Sequence, residues 1–372
     1  MNPRHAEGVP IDTIREEPMK TFMKTTLAAG VAASFLFSAA VAQDLAPLNS
    51  DTEKNRMDWS ELEAKLGPFP KLPEGTKAGA VSKTLTNEYW RSLGEGYASF
   101  GKKVHVPVVY QAAQSEGDQL GQLTIAEGMI TQGYNVLLVS PQTDANLQPV
   151  IEQAKAAKIP VVNVNDAVIP QAEHYVGNVQ RDNGVRVAKW FIKNRPQGGK
   201  VAIVEGQAGV YAAVQRTDGF KSTISEGGKF KVVASVPGNW DRQTSYDAAT
   251  NILNQHPDLV GFYANNDGMA LGIVEAVKAA GLAGKVAVFG TDGISDAYSS
   301  IKAGELTGTV DSFPVLTGEV ALETALRLVA GQKLPRVVAT PQALITADNL
   351  SRYQGANVDV RAVLMEDAKA AK

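Results

Sequence analysis

From Lys77 onward the chain alternates short apolar, β-branched runs with longer stretches of helical periodicity. Few folds accommodate that rhythm, because strands separated by helices pair in parallel, with each helix as a crossover on the sheet face. The runs KAGAVS, VHVPVVY, VLLVSP and IPVVNVN read as strands of a first half, with helices over 88–101, 118–133 and 146–157. HYVGNV, KVAIVEG, FKVVASVPG, LVGFYANND, VAVFGTDG and LTGTVDS form a second series, separated by helical patterns over 183–193, 212–226, 244–255, 268–280 and 295–303. Pro314 then precedes a helical pattern over 317–330, suited to a return crossing. The expected fold is α/β, with two doubly wound parallel-sheet lobes. One lobe takes 76–179 plus 314–341, the other 180–313 plus 342–355, and 356–372 is a tail.

The segment before this alternation carries an address. Lys20 and Lys24 precede the apolar run LAAGVAASFLFSAAVA, which ends in the small-residue pattern Ala40-Val41-Ala42. This is the layout of a secretory signal peptide cleaved after Ala42, and the run is shorter than the roughly 20 residues that span a bilayer. Residues 1–18 read as an upstream extension, since Met19 and Met23 each offer a more usual start. Residues 43–75 read as an arm before the first lobe, in which MDWSELEAKL suits a short amphipathic helix. The expected location is the periplasm.

Several functions are excluded early. A net charge of −3 leaves no basic excess for a phosphate backbone, so nucleic acid is not an expected partner. Cysteine is absent, which removes disulfides, thiol catalysis and thiolate metal sites. His5, His105, His174 and His256 are too widely spaced for a metal motif, and no loop has calcium-ligand spacing. No metal or cofactor is implied. HExxH, GxSxG, a P-loop and a GxGxxG after the first strand are all missing, so the chain does not read as an enzyme.

What remains lies at strand ends, where open α/β sheets bind ligands. Lys83, Asn87, Tyr89 and Trp90 follow the first strand; Asn165 and Asp166 follow the fourth. The second series contributes Tyr211 and Arg216, then Trp240, Asp241 and Arg242, then Asn265, Asn266 and Asp267, then Asp292, then Asp311 and Ser312. Amides, carboxylates and guanidinium groups pair with hydroxyls that both donate and accept, while aromatic rings stack on C–H faces. The collection therefore suits a polyhydroxylated ligand, with Tyr89 and Trp90 as a stacking platform.

VSKTLTNEYWRSLGEG, IPVVNVND, GQAGVYAAVQRTDGF, WDRQTSYDAATNIL, ANNDGMALGIVEAV, VFGTDGISDA and IKAGELTGTVDSFP, in that order over roughly 77–344, resemble the ribose-binding protein family of periplasmic sugar receptors. The resemblance implies the type I solute-binding fold shared with the lactose repressor core, a monomer, and delivery of a sugar to an ABC-transporter permease. It also implies roles. Asn87, Tyr89 and Trp90 match the first-lobe amide and aromatic pair, Arg216 the arginine that ties ligand oxygens, and Trp240 the aromatic of the second lobe. Asn266 and Asp292 match the groups that hold hydroxyls. Asp267, directly before the GMALG helix, reads as an N-cap.

The departures bear on the ligand. Asn165-Asp166 stands where ribose binders carry Asp-Arg, Asp311-Ser312 where they place a Gln, and Tyr211 where they have a small residue. The loop before Asn87 is one residue longer. A more acidic rim disfavours a sugar acid or phosphate and leaves a neutral sugar, polyol or amino sugar. Ligand-binding candidates are thus Lys83, Asn87, Tyr89, Trp90, Asn165, Asp166, Tyr211, Arg216, Trp240, Asn266, Asp292 and Ser312. Crossings near 179–181, 312–314 and 340–343 would act as a hinge that closes on ligand. A repressor of the same fold would need a helix-turn-helix where this chain has its signal peptide. A sensor subunit presenting its ligand to a chemoreceptor or histidine kinase is the alternative to a transport receptor.

Overall fold

The computed structural model describes residues 45–355 and 358–370; the signal-peptide reading falls outside them. The arm supplies β1 (Arg56–Asp58), a single 3₁₀ turn (Trp59–Glu61) and α1 (Leu62–Leu66). There follow β2 (Ala78–Ser82), α2 (Glu88–Lys103), β3 (Val108–Ala112), α3 (Gln119–Thr131), β4 (Val136–Val139), α4 (Gln148–Ala156), β5 (Val161–Val164) and β6 (His174–Gly177). The next series is α5 (Gln180–Asn194), β7 (Gly199–Glu205), α6 (Tyr211–Ile224), β8 (Phe230–Pro237), α7 (Arg242–Gln255), β9 (Leu259–Ala264), α8 (Asp267–Ala279), β10 (Ala287–Asp292), α9 (Ser295–Lys302) and β11 (Gly308–Asp311). The chain ends with α10 (Pro314–Val329), β12 (Val337–Ala339), β13 (Ala343–Thr346), α11 (Leu350–Tyr353) and α12 (Val360–Ala370).

The strands form two sheets. The first runs β1-β12-β6-β5-β4-β2-β3 with every pair parallel. The second runs β13-β11-β10-β9-β7-β8 and is parallel except where β13 joins β11. Central strands such as β2, β4 and β10 are buried along their whole length, which is why they read as unbroken apolar runs. Edge strand β3 alternates instead between half-buried and exposed positions. His174–Gly177, read with the second series, pairs with β5 and belongs to the first sheet.

The chain passes between the sheets after β6, after β11 and between β12 and β13. The arm is not separate from the first lobe, because Arg56–Asp58 extends its sheet through β12. Leu48 is buried among Val168, Ile169 and Tyr175 of the same lobe. Further along the arm, the Asp51 carboxylate accepts the N–H groups of Gln180 at 3.0 Å and Arg181 at 2.8 Å. It caps α5, whose own N-cap residue Val179 offers no side-chain acceptor.

Helix α5 and helix α6 touch backbone to backbone. A Cβ on Gly184 would lie 2.0 Å from the Arg216 carbonyl, and one on Gly219 would lie 2.1 Å from that of Arg181. Only glycine permits this approach, and it seats the middle of α6 against the hinge. In each sheet the strand order reverses, at β2 beside β4 and at β7 beside β9, and residues that follow β2 and β7 line one cleft.

Candidate functional site

The lining of the cleft is built from both lobes: Asn87, Tyr89, Trp90, Glu116 and Asp166 from the first, and Arg216, Trp240, Asn266 and Asp292 from the second. The space among them is about 260 Å³ including its mouth.

Asn87 ends the β2–α2 loop as the N-cap of α2, its Oδ1 accepting the Tyr89 N–H at 3.0 Å. That cap fixes the first helical turn, so Tyr89 and Trp90 point inward. Both rings are buried, edge to face, with centroids 4.8 Å apart. Trp90 Nε1 donates to Glu116 Oε1 at 3.0 Å, and the Tyr89 hydroxyl accepts from Asn165 Nδ2. Asn165 and Asp166 follow β5 with φ of 45° and 60°, a left-handed pair that turns the Asp166 carboxylate into the cleft.

Arg216 organises the opposite wall. Its Nε donates to Gln180 Oε1 at 2.9 Å and its Nη1 to the Asn265 carbonyl at 2.7 Å. The guanidinium lies 3.6 Å from Asp166 and 3.8 Å from Asp292. Burial disfavours its charge, but the two carboxylates outweigh burial and hold it firmly protonated. For Asp166, burial acts upward while Lys83 and Arg216 together pull its pKa below the usual carboxylate value. Asp292 has only Arg216 to oppose its burial and is pushed well upward.

Trp240 reaches the site from the loop after β8, in a left-handed conformation with φ of 64°. Its ring lies flat over the backbone of Gly206, at the end of β7, where a Cβ would meet the indole at 2.0 Å. Gly206→Ala is therefore expected to displace Trp240 and weaken ligand binding about tenfold, a loss of roughly 1.4 kcal/mol, with a smaller effect on folding. Calorimetric titration beside thermal unfolding checks this; unchanged affinity would remove Trp240 from the ligand wall.

Four sequence candidates stand outside the lining. Lys83 is fully buried behind it, ion-paired with Asp166, its Nζ 5.6 Å from the Trp90 ring centroid and 5.5 Å from that of Trp240. It supports the carboxylate and both indoles. Asn165 positions Tyr89 and accepts from Gln180 Nε2 at 3.0 Å. Tyr211 turns away to the arm, its hydroxyl donating to Asn49 Oδ1 at 2.7 Å. Ser312 is buried at the β11–α10 crossing, where its carbonyl accepts from Thr317 at 3.0 Å.

Two further assignments change. The N-cap of α8 is Asn266, which accepts the Met269 N–H at 2.9 Å. Asp267 instead accepts from the N–H groups of Gly293 and Ile294, at 2.8 and 3.1 Å, and from the Thr309 hydroxyl at 2.6 Å. Glu116 was missed by sequence reading. It lies in the loop after β3, and its signal in the sequence is an acidic residue at that strand's end. Burial pushes its pKa up, against the opposing pull of Lys83.

Among the described residues, Glu116 Oε2 and Trp240 Nε1 are buried without a protein partner, an acceptor and a donor in opposite walls. No group of His, Asp and Glu among the described residues is placed to hold a metal ion.

Comparison with known proteins gives a consistent result. The chain is 35% identical over 288 residues to the D-ribose/D-allose-binding protein of Pseudomonas aeruginosa, covering 74% of this chain and 90% of that protein. It is 34% identical over 272 residues to the D-allose-binding periplasmic protein of Escherichia coli, covering 71% of this chain and 86% of that one. A periplasmic solute-binding protein of an ABC transporter from Actinobacillus succinogenes, solved with bound D-allose, superposes with a TM-score of 0.72 at 30% identity, covering 75% of this chain and 100% of that one. A sequence profile of the periplasmic binding protein domain matches residues 78–333, which carry all nine residues lining the cleft. The chain thus belongs to the periplasmic binding protein family, whose members are solute-binding proteins and not enzymes.

Proposed function

We propose that this protein is a periplasmic receptor that captures a neutral monosaccharide or polyol between its lobes and delivers it to an ABC-transporter permease. The observation that carries this reading is a cleft whose two walls together present three aromatic rings and a set of amides, carboxylates and one guanidinium, with Glu116 Oε2 and Trp240 Nε1 unpartnered. Hydroxyls that donate to Asp292 and Glu116 and accept from Arg216 and Trp240 satisfy groups that are costly to leave unpaired once buried. The relatives whose names specify ribose and allose support the same class.

Charge supports neutrality. Glu116, Asp166 and Asp292 face Lys83 and Arg216, and both cations are already engaged by carboxylates. A phosphate or carboxylate on the ligand would find no free cation in the lining and would have to displace Asp166 or Asp292 from Arg216. Because the ligand's partners come from both lobes, only the closed state supplies them all, and binding shifts the hinge toward closure. We assign Asn87, Tyr89, Trp90, Glu116, Asp166, Arg216, Trp240, Asn266 and Asp292 as the ligand shell.

Calorimetric titration of the chain from Gln43 with D-ribose, D-allose, myo-inositol and ribose 5-phosphate tests the proposal. A neutral sugar or polyol is expected to bind and be recovered unchanged, and the phosphate is expected not to bind. Binding of the phosphate alone, or of none of the four, would overturn it.

A further inference from the structure

Contacts that involve no lining side chain also join the opposing lobes: the Asp144 carboxylate accepts the Tyr211 N–H at 3.0 Å, and a further pair lies at the rim. Glu88, in the first turn of α2 in the first lobe, extends across the rim to the start of α9 in the second. Its Oε1 accepts the Ser295 backbone N–H at 2.8 Å and its Oε2 the Ser295 hydroxyl at 2.9 Å. Helix α9 has no cap of its own, since its N-cap residue is Ile294. A helix start without an acceptor leaves N–H groups and the positive end of the macrodipole exposed, and a carboxylate there stabilises it. Here that carboxylate belongs to the other lobe.

We propose that Glu88 is an affinity-determining residue that never touches the ligand: it caps α9 across the cleft in the closed state only, and so biases the hinge toward closure. The placement supports this. Glu88 is flanked by Asn87 and Tyr89, both in the lining, and Ser295 lies three residues past Asp292, also in the lining. Opening the cleft at this rim must separate the pair. In the open state the α9 N–H groups return to water, so the advantage of closure is that of one N-cap, and affinity scales with the closed population it maintains.

The clasp rests on the reading of the cleft as the ligand site, and its test includes an arm that needs no ligand. The chain contains no cysteine, so Glu95→Cys and Ser299→Cys place spin labels on exposed faces of α2 and α9 without background. Without sugar, Glu88→Ala in this labelled protein is expected to shift the interlabel distance distribution toward longer values. With D-allose as probe, it is expected to raise the dissociation rate about tenfold while leaving the association rate within about twofold. Glu88→Gln, which keeps an acceptor but loses the charge, should fall between.

An unchanged distance distribution in Glu88→Ala would overturn the clasp. So would an affinity loss carried entirely by the association rate, or one accompanied by an equal loss of thermal stability in the sugar-free protein. If neither D-allose, D-ribose nor myo-inositol binds parent or variant, the receptor reading fails, and the sugar-free distances still decide the clasp.

Discussion

Arg216→Met is expected to abolish sugar binding, lowering affinity at least about 100-fold, and to destabilise the fold by about 3 kcal/mol. Both effects have one cause. Arg216 is 2% exposed and stands between Asp166 and Asp292 while bonding Gln180 and the Asn265 carbonyl. Removing one partner from a buried charge cluster leaves the others uncompensated, which costs about 3–5 kcal/mol. The ligand also loses a planar fork of donors at the centre of the second wall. Arg216→Lys separates the two effects. It keeps the charge and should fold nearly normally, yet a single ammonium cannot reproduce the fork, so binding should still fall more than about tenfold. Titration calorimetry and denaturant unfolding on both variants read this out. Near-native affinity in the Lys variant would show that Arg216 is structural and not a ligand contact.

The second large effect is on the pH dependence of stability. Asp311 is buried, accepting the Tyr298 hydroxyl at 2.7 Å and the Phe313 N–H at 2.6 Å, and burial pushes its pKa up to about 8. Asp267, likewise buried, is raised to about 6. Above the ordinary carboxylate value of 3.8 the unfolded chain releases these protons, while the folded chain keeps them until the pH passes the raised values. The folded state therefore binds more protons, and stability is greatest near the acidic end of this window and falls as pH rises through it. From pH 5 to 8 Asp311 alone is expected to remove about 3 kcal/mol. Asp311→Asn, neutral throughout, should flatten most of that slope and leave the variant more stable than the parent at pH 8. Urea unfolding at several pH values checks this, and a parent whose stability rises from pH 5 to 8 would contradict it. Asp166 acts in the opposite direction, because its lowered pKa favours the folded state only above the range in which it titrates.

The fold was legible from periodicity because its central strands are buried on both faces and its helices are long. The elements missed were β1 in the arm, β12 and β13 at the hinge, the single-turn α11, and the 11-residue α12 in the stretch read as a tail. Strands of three residues, such as β1 and β12, carry too few positions for a period to show, and their identity comes from the neighbour they pair with. β1, for example, is defined by β12, some 280 residues away.

The site was legible where a residue's position alone aims its side chain. Asn87, Tyr89, Trp90, Trp240 and Asp292, each expected in the cleft because it ends or follows a strand, all lie in its lining. Sequence could not settle competition between neighbours. Asn266 and Asp267 both suit an N-cap, and the outcome depended on Gly293, Ile294 and Thr309, which approach Asp267 from β10, α9 and β11. Tyr211 was placed in the cleft because α6 begins there, yet Asn49 of the arm draws its hydroxyl to the far side. Lys83 and Asp166 were both read as ligand contacts, whereas their mutual pairing leaves only the carboxylate in the lining.

The most direct test of the central claim is a crystal structure of residues 43–372 grown with D-allose or another sugar that binds in titration. The sugar is expected in the interlobe cleft, its faces against Trp90 and Trp240, with hydroxyls on Arg216, Asp292 and Asn87 and partners supplied to Glu116 Oε2 and Trp240 Nε1. A sugar held outside this cleft, or held by one lobe alone with Arg216 and Asp292 untouched, would contradict capture by closure of the two walls.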